Sequence, residues 1–373
     1  MSVRKRKWTT RLGEAKEAWV VDYADQQGDR HIRTFERKKE ADDYHATVKV
    51  AVRAGTHVAP SNSVTVAAAA ENWLKQAEAE GLERGTIETY RQHANLHIVP
   101  KLGKVKLAAL TKSKIEAFRE GLLASMSRPT ARKVFVSFKS ILRHANFAHV
   151  ADGVKIKVGN RDKLERGRDF PTPGEIKRLI EAANGNLKWR TLLLTAALTG
   201  LRASELRGLR WFDVDLKAST LTVNQRADRF NTIGQPKTKS STRTLPLAPE
   251  VLSALKEWRL ACPKGELDLV FPTASGRPML HSGVRRGLAP FMVAAGIVTK
   301  DGGPKYGMHA LRHFFASWCI NSVESGGRGL LPKEAQQLLG HASIVITLDR
   351  YGHLFPHGDD PNRLAAASRA LLG

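Results

Sequence analysis

Cysteine is almost absent from this chain: Cys262 and Cys319 are the two among 373 residues. They are too few and too far apart for a disulfide framework or a zinc-ligand spacing, which excludes a stapled secreted scaffold and suits a reducing cytoplasm. Long apolar runs are missing too. No stretch approaches the ~20 residues a membrane span needs, and the basic start MSVRKRKW lacks an apolar h-region, so a soluble protein that is not exported is expected. Acidic residues are in deficit, with 36 Asp+Glu against 60 Lys+Arg, a formal charge of +24 and a pI near 10.3. That balance points to a polyanionic partner, most simply nucleic acid. The excess is spread: residues 1–60 carry 13 basic and 9 acidic side chains, residues 61–160 carry 16 and 8, and residues 161–373 carry 31 and 19. One basic tail does not explain the charge, and every segment can contribute phosphate contacts. The length allows two or three domains, each with its own core.

Residues 1–59 read as a small sheet with one helix. Trp19, Val21 and Tyr23 alternate with more polar residues, DQQGD offers a turn, and Arg30–Phe35 alternates again, which predicts a hairpin. A helix-compatible run from about Arg37 to Arg53 follows. Pro60, Ser61, Asn62 and Ser63 form a polar break. From Val64 to about His149 the pattern is helical: Val66, Ala70, Trp73, Leu74 and Ala77 make one stripe, Thr86 and Thr111 can cap helices, and Pro129 suits the first turn of a long one. Arg91, Lys112, Lys114, Arg132, Lys133, Lys139 and Arg143 lie on these helices and are candidates for phosphate contacts. The plainer reading of any one of them is a solvated surface charge. Residues 152–169 are charged and Gly-punctuated without apolar periodicity, as expected of a linker. At Thr172 a capping box with proline at the first helical position opens a new domain, residues 170–373.

The chemistry-bearing residues concentrate near the C-terminus, in KYGMHALRHFFASWCI and LLGHASIVITLDRYGH. His309 and Arg312 are three apart, share a helix face and can reach one bound phosphate. Gly340 reads as a helix stop, after which His341 can aim a donor sideways. Tyr351 follows TLDR in a polar stretch, which predicts an exposed phenol. Upstream, Arg202 follows an apolar helix and a Thr-Gly break, so it should emerge at a helix end where Glu205 can hold it. Taken alone, Arg202 and Glu205 read as an ordinary intrahelical ion pair. His309 and His313 have the i, i+4 spacing of two metal ligands on a helix. Ala310 stands where H-E-x-x-H has glutamate, however, and Arg312 would set a positive charge beside the ion, so no metal and no cofactor is expected.

These motifs, H-x-x-R-H, then L-G-H, then a tyrosine ten residues on, resemble the signature of the tyrosine recombinase (phage integrase) family. TGLRASELRGL resembles the family's first arginine motif and QPKTKSSTRTLPL its lysine hairpin, so the resemblance spans roughly Phe170 to the end. It implies a multidomain, mainly α fold with small β elements: an arm-type DNA-binding domain (1–59), a helical core-binding domain (60–151), a linker (152–169), and an α-rich catalytic domain with a small antiparallel sheet and a C-terminal tail. It also implies catalytic roles for Arg202, Lys237, His309, Arg312, His341 and Tyr351. Lys237 would be the general acid, with Lys239 the alternative, while Glu205 and His313 would support their neighbours.

What the resemblance implies for function is site-specific recombination of DNA through a 3′-phosphotyrosine, without ATP or metal, in the integration or excision of a mobile element. The expected partners are double-stranded attachment sites, three further copies in a tetramer on DNA, and accessory bending or directionality proteins, in a cytoplasmic, nucleoid-associated setting. A resolvase-type recombinase, a relaxing topoisomerase and a catalytically inert DNA-binding regulator are the alternatives. The arm-like residues 1–59 favour an integrase. The tail, with NRLAAASRALL in a helix-forming composition, must dock on its own domain or on a neighbouring subunit.

Overall fold

The computed structural model describes residues 1–9, 14–25, 28–53, 63–157, 170–236, 238–355 and 361–372. The chain divides into two compact units, Met1–Gly159 and Asn160–Gly373. No described helix is long and apolar enough to cross a membrane.

In the first unit, β1 (Ser2–Thr9), β2 (Ala15–Ala24) and β3 (Arg30–Phe35) form an antiparallel sheet in that order, with Trp19 opposite Phe35. Strand alternation places Trp19, Val21 and Tyr23 on one face, and α1 (Lys38–Arg53) covers it with Ala41, Tyr44 and Val48. The hairpin and the helix lie where the sequence predicts them. The strand β1 was not predicted, because SVRKRKWT is an edge strand with Val3 alone half-buried and so has no apolar alternation to read.

The same unit contains a helical core. Thr65 accepts the Ala68 N–H at 3.2 Å and starts α2 (Val66–Ala79), which buries Val66, Ala70, Trp73 and Ala77 on one stripe. The next helix, α3 (Arg84–His93), runs through a π-turn at Ala94–Ile98 into α4 (Val99–Leu102), where Pro100 has no N–H to offer the ladder. Thr86 is not its cap. The helix begins earlier, at Arg84 with Glu83 in the cap position, and the Thr86 N–H already bonds the Glu83 carbonyl at 2.7 Å. Thr111 caps α5 (Lys112–Ser125), and Pro129 stands in the first turn of α6 (Arg128–His144). Ile98, Leu107, Phe118, Leu122, Phe138 and Ile141 fill the centre. Val154 and Ile156, which the sequence assigns to the linker, also pack into this core. Val154, Ile156 and Val158 alternate with Lys155 and Lys157, a short period-2 signal that the sequence reading passed over. The rest of that run, 158–169, and Pro60, Ser61 and Asn62 lie outside the described residues.

The second unit opens with the expected capping box. The Glu175 N–H bonds Thr172 Oγ1 at 3.1 Å, and the Thr172 N–H bonds a Glu175 carboxylate oxygen at 2.8 Å, starting α7 (Pro173–Ala182). Its axis is α8 (Leu187–Thr199), buried on nearly every side from Thr191 to Ala197, as an all-round apolar helix must be. Gly200 ends α8 at φ 64°, where a Cβ would meet the Phe315 ring at 2.2 Å, so neither backbone nor space admits a side chain. The short α9 (Ala203–Gly208) follows at once. A three-stranded antiparallel sheet has the order β4 (Val214–Asp215), β5 (Thr220–Val223), β8 (Arg243–Pro246). Between β5 and β8 the chain makes a small hairpin of β6 (Arg226–Ala227) and β7 (Ile233–Gly234).

Around α8 pack α10 (Pro249–Ala261), α11 (His281–Ala294) and α12 (Met308–Ile320), joining Leu192, Ala196, Leu255, Trp258, Leu288 and Leu311 in one core. Two short helices, α13 (Pro332–Leu339) and α14 (Ile344–Tyr351), close a smaller cluster with Phe315, Ile320, Leu339 and Tyr351. Cys319 sits in this cluster, where burial pushes its thiol up to about 11, while Cys262 is half-buried. The tail forms α15 (Pro361–Leu372), with Leu371 83% and Leu372 81% exposed.

Candidate active site

Two helix stops and one helix face bring the polar residues of the second unit together. The α8 stop at Gly200 delivers Arg202 to the start of α9. There the guanidinium Nη1 donates to Glu205 Oε1 at 2.6 Å and Nη2 donates to the Gly340 carbonyl at 3.0 Å. The bond to Gly340 lifts Arg202 out of the plain intrahelical pairing, because it ties α9 to the far end of the unit. The α13 stop at Gly340, φ 61°, turns the chain so that His341 leaves the helix sideways, with its Nδ1 2.9 Å from Thr347 Oγ1 on α14. From α12, Arg312 is 2% exposed and donates to the Gly200 carbonyl at 2.8 Å and to the Leu339 carbonyl.

These residues line one cleft of about 390 Å³, together with His309, His313 and Tyr351. His309 stands at its solvent-facing rim, its ring edge-to-face with His313 at 4.5 Å between centroids. Tyr351 departs from expectation: its phenol is 1% exposed. The residue ends α14, so its ring turns inward against Phe170 and the Phe315 cluster, and its hydroxyl meets His313 Nδ1 at 2.5 Å. The polar TLDR stretch misleads because most of that short helix faces solvent and only the side carrying Thr347 and Tyr351 is buried. Pro236 and Thr238 also line the cleft, whereas Lys237 between them lies outside the described residues, as does the side chain of Lys239.

The electrostatics favour a bound anion. Burial, reinforced by Arg202 and Arg243, pushes Arg312 down to about 9, which still leaves it charged at neutral pH. Burial and then Arg312, Arg202 and Arg243 push His341 down to about 3. Burial also pushes His313 down to about 3, helped by Arg350, His309 and Arg312, and it raises Tyr351 to about 12 against the pull of Arg350 and Arg312. His309, enclosed on its inner side, is lowered by that burial and by Arg312 and Arg350. For Glu205, burial alone would favour the neutral acid, but Arg243 and Arg202 hold its carboxyl below the ordinary range. A bound phosphodiester would relieve the mutual repulsion of these cations.

The Phage integrase family matches this chain over residues 170–357, half of its length, and the family's N-terminal SAM-like domain matches residues 65–123. The chain belongs to the phage integrase family. Membership makes it a tyrosine-type, site-specific DNA recombinase. Among curated relatives it is 27% identical to a XerC-like tyrosine recombinase of Caldanaerobacter subterraneus, over 86% of each chain. It is 28% identical to an integrase of Streptomyces ambofaciens, over 80% of this chain and 78% of the relative. A lambda integrase tetramer bound to a Holliday junction shares the fold, with a TM-score of 0.61 at 18% identity over 95% of this chain and 97% of that one.

Within this integrase-family unit the sequence reading overlooked several residues in or directly behind the cleft. Arg243 is buried and joins three segments: it donates to Glu205 at 2.9 Å, to the Leu338 carbonyl at 2.8 Å and to the Ser241 carbonyl at 2.8 Å. Its position at the head of the strand RTLP was a usable signal. Thr347 and Arg350 had no such mark, since only the fold of α14 turns them toward His341 and His313. In the first unit, the candidate phosphate contact Arg91 is paired at the surface with Glu78 at 2.7 Å and Glu88 at 3.0 Å. Lys139 donates to the Val154 carbonyl at 3.1 Å and Lys114 to the Ala109 carbonyl at 3.0 Å. Lys112, Arg132, Lys133 and Arg143 are exposed.

Proposed function

We propose that this recombinase is an integrase that cuts and rejoins double-stranded attachment sites of a mobile element, with Tyr351 as nucleophile. The observation that carries the reading is the convergence of Arg202, His309, Arg312, His341 and Tyr351 on one cleft from separate elements. Phosphodiester transfer needs cations on the non-bridging oxygens, an acid for the leaving oxygen and a nucleophile. Arg202 and Arg312 hold the phosphate; each guanidinium carries more N–H donors than the protein carbonyls take. With the Thr347 hydroxyl donating to Nδ1 of His341, the ring proton sits on Nε2 and serves a phosphate oxygen. Tyr351 attacks phosphorus, the 5′ oxygen leaves with a proton from Lys237, and the 3′-phosphotyrosine keeps the bond energy for rejoining. His309 at the rim assists the proton movements.

The sheet-and-helix module at residues 1–53 supports an integrase over a resolvase-type enzyme, because its basic strands suit a second, outlying DNA site. Assembly as a tetramer on DNA is inferred from the shared fold with the lambda integrase tetramer. A nicked suicide substrate tests the reading. The wild-type chain forms a covalent adduct in excess chelator, whereas Tyr351→Phe forms none and binds the site nearly unchanged. Full adduct formation by the Phe variant reassigns the nucleophile.

A further inference from the structure

The hydroxyl of a nucleophilic tyrosine must lose its proton, and the structure gives that proton a receiver outside the residues assigned so far. His313 Nδ1 lies 2.5 Å from the Tyr351 hydroxyl, inside protein: the phenol is 1% exposed and the imidazole 9%. Phe170 packs on both rings, with centroids 5.2 Å from His313 and 5.8 Å from Tyr351, and so fixes their mutual orientation. The hydrogen bond described for the Tyr351 hydroxyl is this one, whereas His309 contacts His313 edge-to-face and faces solvent.

We propose that His313 is a catalytic residue that takes the phenolic proton of Tyr351 as the tyrosine attacks the scissile phosphate. The inference rests on the reading of Tyr351 as nucleophile. In the cleavage step the phenolic oxygen forms its bond to phosphorus and its proton moves to Nδ1 of His313, giving an imidazolium. The bond from phosphorus to the 5′ oxygen breaks with its electron pair, and that oxygen takes a proton from the general acid. Rejoining reverses each movement, with His313 returning the proton to the departing phenolate.

The surroundings hold both members of the pair neutral. The charged and titratable groups facing His313 are Arg312 and His309 on its own helix, Arg350 on α14 and His341 on the loop before it. All of them disfavour an imidazolium, and burial keeps the phenol protonated. A phosphodiester entering between Arg202 and Arg312 adds negative charge among these cations and lowers the cost of an imidazolium at His313. As the new bond forms, charge leaves the phenolic oxygen for the phosphoryl oxygens, so the proton has the imidazole as its destination. Proton transfer is thereby coupled to a correctly seated phosphate.

The test uses the full chain and a nicked substrate, reading the first-order rate of adduct formation. His313→Asn keeps an acceptor oxygen near the place of Nδ1 but cannot hold the proton. The expected result is a loss of ~100-fold or more with DNA binding unchanged. The residual rate should rise about tenfold per pH unit as hydroxide takes over, and 3,5-difluorotyrosine at position 351 should recover it, because a more acidic phenol needs less of a base. A 5′-bridging sulfur, which leaves without a proton, should not recover it. A near-wild-type rate for His313→Asn overturns the proposal, and so does a loss that neither pH nor the fluorinated phenol repairs. Should that variant not fold, the unsubstituted chain decides: a rate level from pH 7 to 9 supports an internal acceptor, and a tenfold rise per unit overturns it. Adduct formation by Tyr351→Phe sinks the nucleophile assignment itself, whereas loss there with full activity in His313→Asn sinks only this inference.

Discussion

Arg243 donates to the Glu205 carboxylate at 2.9 Å from a side chain that is 7% exposed, and the other oxygen of that carboxylate holds Arg202 at 2.6 Å. One buried acid thus sets the position of two guanidiniums, one of which lines the cleft. Removing the acid strands the cations. Glu205→Ala should cost about 3–5 kcal/mol of stability in the catalytic unit, the usual penalty for breaking a buried pair from one side, and Glu205→Gln should cost less. Urea unfolding of the three proteins measures this; a loss below about 1 kcal/mol for Ala would mean the arginines repack without their partner.

A second prediction concerns the two arginines themselves. Arg202→Lys or Arg312→Lys should slow adduct formation by ~100-fold or more, since an ammonium cannot reproduce the guanidinium fork on phosphoryl oxygens. For Arg312 the backbone adds a reason: its donors also span the Gly200 and Leu339 carbonyls, which a lysine could serve only one at a time. Near-wild-type cleavage by both variants would remove the clamp from the mechanism.

The convergence of Arg202, His309, Arg312 and His341 was legible in the sequence because each sits at a punctuated place: a Thr-Gly stop, a helix face, a Gly after an amphipathic turn. The burial of Tyr351 was not legible. It depends on which side of α14 meets the Phe315 cluster, a tertiary fact that the polar neighbours Asp349 and Arg350 conceal. Arg243 shows a different limit. Its motif position was visible, but its three partners come from residues 205, 241 and 338, and no local pattern announces such a junction. The missed strand β1 has too few apolar residues to establish a period, whereas the packed Val154 and Ile156 belonged to a readable alternation with Lys155 and Lys157.

Acid should destabilise the catalytic unit well before its carboxylates titrate. His341 and His313 are both pushed down to about 3 in the folded protein, against about 6.5 in an unfolded chain. Between those values the unfolded state binds more protons than the folded one, so stability falls as pH drops from about 6.5 towards 3. Glu205, lowered by its arginines, adds a loss of the same sign as pH falls below about 4.5. Unfolding midpoints across pH 4–8 should show this slope, and His341→Gln should flatten it by about one proton. An unchanged slope would mean that His341 titrates normally in the folded chain.

The tail poses the last question. Its helix α15 forms where the composition NRLAAASRALL predicts one, yet Leu371 and Leu372 are 83% and 81% exposed, and a helix this short is marginal without a partner. On the proposed tetramer, a neighbouring protomer would supply that partner, and a head-to-tail ring of such contacts would couple one tyrosine to the state of the next subunit. Docking on its own domain is the competing arrangement. Deleting residues 360–373 should leave binding to a single site intact, weaken assembly of four protomers on paired sites, and reduce strand exchange more than first-strand cleavage. Sedimentation of the DNA complexes, run beside the suicide-substrate assay, separates the outcomes. If the truncated chain unfolds, the tail belongs to its own domain; if it recombines with unchanged assembly, the tail carries no contact between subunits.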